Sequence, residues 1–436
     1  MARFIIQGEK PLKGEIEVVG AKNAALKIFP AVFLTNETIK ISNLPEIEDC
    51  IRAEEILTQM GHEVKKLENR TIEIKFKNNS CVDLPELSSA LPESLVNKFR
   101  ASIMFVGPML ATCGEVKFPH PGGCVIGAGT RPIDMFLDGF KKMGAKIEMN
   151  ENHYRLTAPK LKGAEIFFHK VTVTGTESLM MTATRAEGIT ILKNCAMEPE
   201  IVALANFLNS AGAKIEGAGT PTIKIEGVKE LKGGEYKIIP DRIEAGTFAI
   251  LAAASNTGEI VVKNCEPKHL EALWSLFDKI GVKYELGSDY IKIFPVRSMG
   301  SGQGGGLKSA DMTTHEYPGF ATDLQPPYTI LMTQAEGLSL VHETIYDRRL
   351  LFADILTQMG ANIIMADPHR VVVSGPTKLH GRKLVSPDLR AGIALLMAGL
   401  IAKGKTEIDN IYQIDRGYEN LDSRLRGLGA SIERVE

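Results

Sequence analysis

At 436 residues the chain is too long for one ordinary core, and a prior of about 100–200 residues per domain predicts two or three domains, best read as two large ones. A hydrophobic content of 44% with 24% charged residues excludes a disordered or fibrous chain. The 51 Lys and Arg nearly cancel 53 Asp and Glu, and the net charge of −2 leaves no basic surplus for nucleic acid.

The N-terminal stretch MARFIIQGEKPLKGEIEVVG reaches charged residues before it builds the apolar core of a secretory signal. The longest apolar run, Ala391 to Ala402, is too short for a membrane span. A cytoplasmic protein without a membrane partner is expected, with its six cysteines (Cys50, Cys81, Cys113, Cys124, Cys195 and Cys265) as free thiols. No CxxC, HxxxH or HExxH spacing occurs, so no metal site is expected.

In chain order, a short marker recurs at the end of each helical pattern and the start of a strand: MGHEV at Met60, MGAKIE at Met143, AGAKIE at Ala211, IGVKYE at Ile280, MGANI at Met359 and LGASIE at Leu428. Spacings of roughly 70–80 residues make this a sixfold internal repeat. In the third copy a turn at Pro199 precedes apolar residues at Ile201, Leu204, Phe207 and Leu208 in helical spacing, Gly212 stops the helix, and two short alternating strands follow. The segments from Glu177, Glu244 and Asp388 carry small and apolar residues all round a helix, which predicts burial. Each copy reads strand, helix, strand, helix, strand, strand. Six copies predict two α/β domains of three repeats, residues 22–239 and residues 1–21 with 240–436, helices inside and sheets outside, as an inside-out barrel. A ligand cleft between the domains is expected. Cys195 and Cys265 each follow an Asn at the same place in a repeat and read as packing residues.

Between the first and second markers' strands lies PHPGGCVIGAGTRPID, from Pro119 to Asp134, which sets Cys124 among glycines and Arg131 seven residues on, before a helix. Gly122, Gly123, Gly127 and Gly129 give such a loop freedom to wrap a ligand, and a thiol beside a cation suits acid, base or nucleophile work. An inert cysteine in a surface turn is the alternative. Further on, Gly300, Gly302 and Gly305 satisfy GxGxxG, but LKSADMTTHEYPGF after them does not read as a helix, so a connection rather than a dinucleotide site is expected.

GAKNAAL from Gly20, PGGCVIG from Pro121 and IDRGYE from Ile414, with PDRIEAGTF from Pro240, TDLQ from Thr322 and PDLRA from Pro387, resemble the UDP-N-acetylglucosamine 1-carboxyvinyltransferase family over essentially the whole chain. The related enolpyruvyl transferase of the shikimate pathway shares the sixfold fold but not the GAKN and GGCxIG motifs. The resemblance implies the enolpyruvyl transferase fold and transfer of the enolpyruvyl group of phosphoenolpyruvate to the 3-hydroxyl of UDP-N-acetylglucosamine, with release of phosphate and no metal or organic cofactor.

It also implies the site. Cys124 would be general acid or covalent nucleophile, and the target of the epoxide antibiotic fosfomycin. Asp323 would accept the hydroxyl proton, with Asp388 a second carboxylate nearby, and Lys22 and Arg416 would be catalytic. Lys22, Asn23, Arg131 and Arg416 would hold phosphoenolpyruvate. Asn23, Arg100, Arg131, Pro132, Ile133, Asp134, Met135, Lys170, Thr172, Val173, Asp323 and Ile345 would hold the sugar nucleotide, and Asp49, Arg349 and Arg390 would support them. Read without the family, Asp323 and Asp388 could each cap a helix and Lys22 could be an exposed lysine at a helix start. Gly129-Thr130 lengthens the Cys124–Arg131 loop relative to the family spacing, Phe136 replaces a frequent histidine, and Thr174 a frequent glycine. Competing readings are a UDP-sugar-binding regulatory paralogue without turnover, or transfer to another alcohol.

Overall fold

The computed structural model describes residues 2–76, 90–96, 100–119, 133–296 and 306–436. The six marker glycines explain the repeat. Gly61, Gly144, Gly212, Gly281, Gly360 and Gly429 have φ of 88°, 98°, 102°, 84°, 100° and 96°, a left-handed backbone that glycine adopts without a Cβ clash and that ends a helix. Each turns the chain out of a helix into a strand: Glu48–Gln59 into His62–Leu67, Asp134–Lys142 into Lys146–Met149, and Pro199–Ser210 into Lys214–Glu216 in the first three copies.

The sheets repeat with equal regularity. In the third copy Glu165–Phe167 runs parallel to Ile189–Lys193, which pairs antiparallel with Thr222–Glu226, itself antiparallel to Lys214–Glu216. Among the described residues five sheets have this four-strand order and the sixth has three strands, with Ala90 bridging parallel to Lys117 where the fourth would lie. Two sheets are completed by the N-terminus: Arg3–Gln7 joins Lys405–Asp409 and Ser431–Val435, and Gly14–Glu17 joins Ile260–Lys263. No described ladder joins one sheet to another, so strand pairing does not close a barrel.

Two compact units result. One contains the residues up to Val19 with Pro240–Glu436, the other the described residues of Gly20–Ile239, and each has its own apolar core. Within each unit the first helix of a repeat is buried all round, as its composition predicts: Ile243 through Ala254 in Arg242–Ser255, and Leu389 through Leu400 in Leu389–Ile401. Strands alternate instead, as in Thr222–Glu226, and turn one face to solvent.

One side chain locks the sheets. In four repeats the residue after the second strand is an asparagine in the left-handed region, Asn43, Asn194, Asn264 or Asn410. Each donates its amide to a carbonyl just past the parallel edge strand: Ile238 at 2.9 Å, Phe168 at 2.8 Å, Val18 at 2.6 Å and Ser386 at 2.9 Å. Asparagine tolerates this backbone because its short polar chain bonds locally.

Candidate active site

In the unit of residues 20–239, Lys22 opens the helix Lys22–Ala31 and is buried rather than exposed. Its Nζ lies 2.7 Å from Oδ2 of Asp49, which sits in the first turn of the helix Glu48–Gln59. A buried ammonium persists only with a counter-charge, which the Asp49 carboxylate supplies. Asn23 is half-buried, and its carbonyl accepts from Lys27 Nζ at 3.0 Å. Arg100 is half-buried at the start of the 3-10 helix Arg100–Phe105.

Ile133, Asp134 and Met135 lie at the N-terminus of the helix Asp134–Lys142, with Asp134 exposed and Phe136 buried behind it. Exposed Lys170 and half-buried Thr172 and Val173 lead into the helix Val173–Ala183, and Thr172 caps it by accepting from the Gly175 N–H at 3.2 Å. A helix N-terminus offers free N–H groups and a positive dipole end to an anion. Cys124, Arg131, Pro132 and the Gly129-Thr130 insertion lie outside the described residues, as do Gly300, Gly302 and Gly305; Gly306–Phe320 forms no helix.

In the other unit, Asp323 is no helix cap. No side chain caps the 3-10 turn Thr322–Leu324 or the helix Gln325–Met332. The carboxylate is instead gripped from both sides: Oδ1 accepts from Arg349 Nη2 at 2.7 Å, and Oδ2 from Arg390 Nη2 at 2.9 Å. Burial alone would raise its pKa, but Arg390 and Arg349 outweigh that and hold the group well below the usual carboxylate range. Arg390 is further braced by donating from Nη1 to the Tyr418 hydroxyl at 3.3 Å, which lies 3.0 Å from the Thr247 hydroxyl.

Asp388, by contrast, is a cap: Oδ1 accepts from the N–H groups of Arg390 at 2.8 Å and Ala391 at 3.0 Å. The cap starts the helix that carries Arg390, so it positions one of the two arginines on Asp323. Arg416, half-buried after the short helix Tyr412–Asp415, donates to Gln413 Oε1 at 3.2 Å. Half-buried Ile345 donates its N–H to Glu343 Oε1 at 2.8 Å.

Burial pushes the thiols of Cys195 and Cys265 up to about 12, which suits packing residues. Cys113 is disulfide-bonded rather than a free thiol. Among the described residues no group of His, Cys, Asp and Glu could hold a metal ion, and no helix is long and apolar enough to cross a membrane. Sequence reasoning missed Glu343, Thr322 and Tyr418, which surround the Asp323–Arg349–Arg390 cluster.

Six like repeats in two units, with cations seated against carboxylates in each, form the framework of the enolpyruvyl transferases. The family model described as EPSP synthase (3-phosphoshikimate 1-carboxyvinyltransferase) matches residues 6–425, and the chain belongs to that family. Its fold is that of solved structures titled as the enolpyruvyl transferase NikO from Streptomyces tendae (TM-score 0.86, 22% identity, 100% of this chain and 99% of that one) and EPSP synthase from Acinetobacter baumannii (TM-score 0.73, 18% identity, both chains covered in full). Sequence likeness is much higher to proteins named UDP-N-acetylglucosamine 1-carboxyvinyltransferase: 44% identity over 441 residues with that of Koribacter versatilis, covering 100% of this chain and 97% of the relative, and 44% over 437 residues with that of Solibacter usitatus, covering both in full.

Proposed function

We propose that the chain transfers the enolpyruvyl group of phosphoenolpyruvate to the 3-hydroxyl of UDP-N-acetylglucosamine and releases phosphate, a cytoplasmic step toward peptidoglycan. The observation that carries this reading is full-length likeness to carboxyvinyltransferases of that name, on a chain that retains GAKN, the cysteine loop and the Asp323 cluster. Both substrates are polyanions. Lys22, Arg131 and Arg416 hold phosphoenolpyruvate, Asn23 the acetamido sugar, and Arg100, Arg131–Met135, Lys170, Thr172, Val173 and Ile345 the nucleotide.

In the addition step a proton passes to the methylene carbon of phosphoenolpyruvate, with Cys124 as the acid. The sugar oxygen bonds to the adjacent carbon while its own proton goes to Asp323. Loss of a proton from the new methyl group and cleavage of the carbon–oxygen bond to phosphate then give the enolpyruvyl ether. A carboxylate gripped by two arginines is a poor base. An arriving phosphate or carboxylate competes for those arginines and returns basicity to Asp323, so proton transfer awaits the anionic substrate.

The test is phosphate release by the purified protein with both substrates, beside Cys124→Ser. Release that needs both substrates and falls at least about 100-fold in the variant is expected. No release, with UDP-N-acetylglucosamine still binding in calorimetry, would move the assignment to a regulatory paralogue. Release with another alcohol outcompeting the sugar nucleotide would move it to a different transferase.

A further inference from the structure

Where four repeats place the locking asparagine, the repeat that carries Asp323 has Glu343, directly after the strand Gly337–His342. It is fully buried, and its backbone is not in the left-handed region that the four asparagines share. The backbone end of the sheet is closed here as elsewhere: the Thr314 N–H donates to the His342 carbonyl at 2.9 Å, as Val18 does to Lys263 and Phe168 to Lys193 at 2.9 and 3.0 Å. Closing the sheet therefore does not require a carboxylate. A buried charge is costly, and a protein that breaks its own repeat to place one has a use for it.

The two oxygens of that carboxylate have different partners, and one of them leads to the Asp323 cluster. Its Oε2 accepts from the Thr322 hydroxyl at 2.8 Å. A hydroxyl has one proton, so with it committed to Glu343 the Thr322 oxygen turns its lone pairs to Arg349, whose Nη1 donates to it at 2.8 Å. The other terminal nitrogen of Arg349 then meets Asp323 at 2.7 Å. Carboxylate, hydroxyl, guanidinium and carboxylate form one polarised chain. Meanwhile Oε1 accepts from the Thr314 hydroxyl at 3.1 Å and from the N–H groups of Ile345 at 2.8 Å and Tyr346 at 3.1 Å. This shapes the turn that carries Ile345 and sets the Tyr346 ring against Arg349, 5.2 Å from its centroid.

We propose that Glu343 is a positioning residue of the transfer reaction. Through Thr322 it sets Arg349 against Asp323, and through the Ile345–Tyr346 turn it sets the loop beside them. What Asp323 does in turnover rests on the function proposed above; that Glu343 sets the Arg349–Asp323 pair does not.

Two variants test it. Glu343→Gln keeps the shape and an oxygen acceptor, but offers N–H donors to Thr322 that leave its hydroxyl proton unplaced. Glu343→Asn removes the carboxylate and places there the residue that four other repeats carry after the second strand. Both should fold, with melting temperatures within about 4 °C of the parent. Both should lower kcat about 10- to 100-fold, the cost of a misplacement near 1 Å, while KM for phosphoenolpyruvate changes less than about threefold.

In an Asp323→Asn background Glu343→Gln should cost less than about threefold more, because a group acting through Asp323 has nothing left to position. Full additivity in that cycle, or kcat within about threefold of the parent in both single variants, would overturn the proposal. A crystal structure of Glu343→Gln decides it apart from any activity: Arg349 should leave Asp323 Oδ1, and a pair still at hydrogen-bond distance would overturn it even if the parent turned over neither substrate.

Discussion

Replacing Arg390 with methionine tests the electrostatics of the Asp323 cluster. The side chain is nearly buried, so methionine refills most of its volume and the change is chiefly one of charge. Asp323 then keeps Arg349 alone. A carboxyl whose folded pKa is depressed contributes stability that is present above its unfolded pKa, near 4, and is lost as pH falls through the folded value. An aspartate held well below its unfolded pKa contributes about 2–3 kcal/mol at pH 7. Removing one of two guanidiniums takes away about half of this, and the lost bond to Tyr418 adds some tenths, so we expect Arg390→Met to cost about 1–2 kcal/mol at pH 7.

The chain's single tryptophan, Trp274, is buried in the core of the same unit, so its fluorescence follows the loss of that core. Urea titrations should show the Arg390→Met deficit largest at pH 7 and shrinking as pH falls below 4, where unfolded Asp323 takes up a proton. A deficit that is constant from pH 7 to pH 3, or grows in acid, would refute the account, because the effect would then be packing.

Asp388 separates capping from chemistry: Asp388→Asn should retain the cap and stay within about 0.5 kcal/mol of parent stability, whereas Asp388→Ala should cost about 1 kcal/mol by urea titration. If Asp388 also takes part in turnover, phosphate release will fall about 10-fold or more in the asparagine variant despite its intact fold. His62 is buried edge-on to Phe33 at 4.6 Å between centroids, and burial lowers its pKa to about 4. A histidine depressed in this way contributes stability that is full above pH 6.5 and is lost as pH falls to about 4; His62→Leu should remove about 3 kcal/mol of acid sensitivity from the unit of residues 20–239 in circular-dichroism titrations, and an unchanged pH slope would count against it.

Much of the fold is legible in the sequence because its signals are local and occur six times. A left-handed glycine after each second helix and a first helix with small and apolar residues on every face need no distant partner to be recognised. The Asp323 cluster is different. The resemblance supplies Asp323, Arg349 and Arg390, yet nothing local to TDLQ shows that one carboxylate is shared by arginines 26 and 67 residues away. Read locally, Asp323 and Asp388 look alike, each an aspartate ahead of a helix. Only the long-range partners separate them, turning one into a cluster and leaving the other as a cap.

Glu343 was hidden for another reason: no motif contains it, and a single glutamate after a strand carries no signal of its own. Its signal is relational. Once the six repeats are superposed by their marker glycines, the position after the second strand reads Asn43, Asn194, Asn264 and Asn410 in four copies and Glu343 in a fifth. A repeat protein thus supplies its own control. Copies that share one packing problem show which residue solves it, and the copy that departs shows where a second demand outweighs packing. Here the departure adds a buried negative charge one hydroxyl away from Arg349, so the cluster of Asp323, Glu343, Arg349 and Arg390 is neutral as a whole. Neutrality lets two arginines remain buried around Asp323.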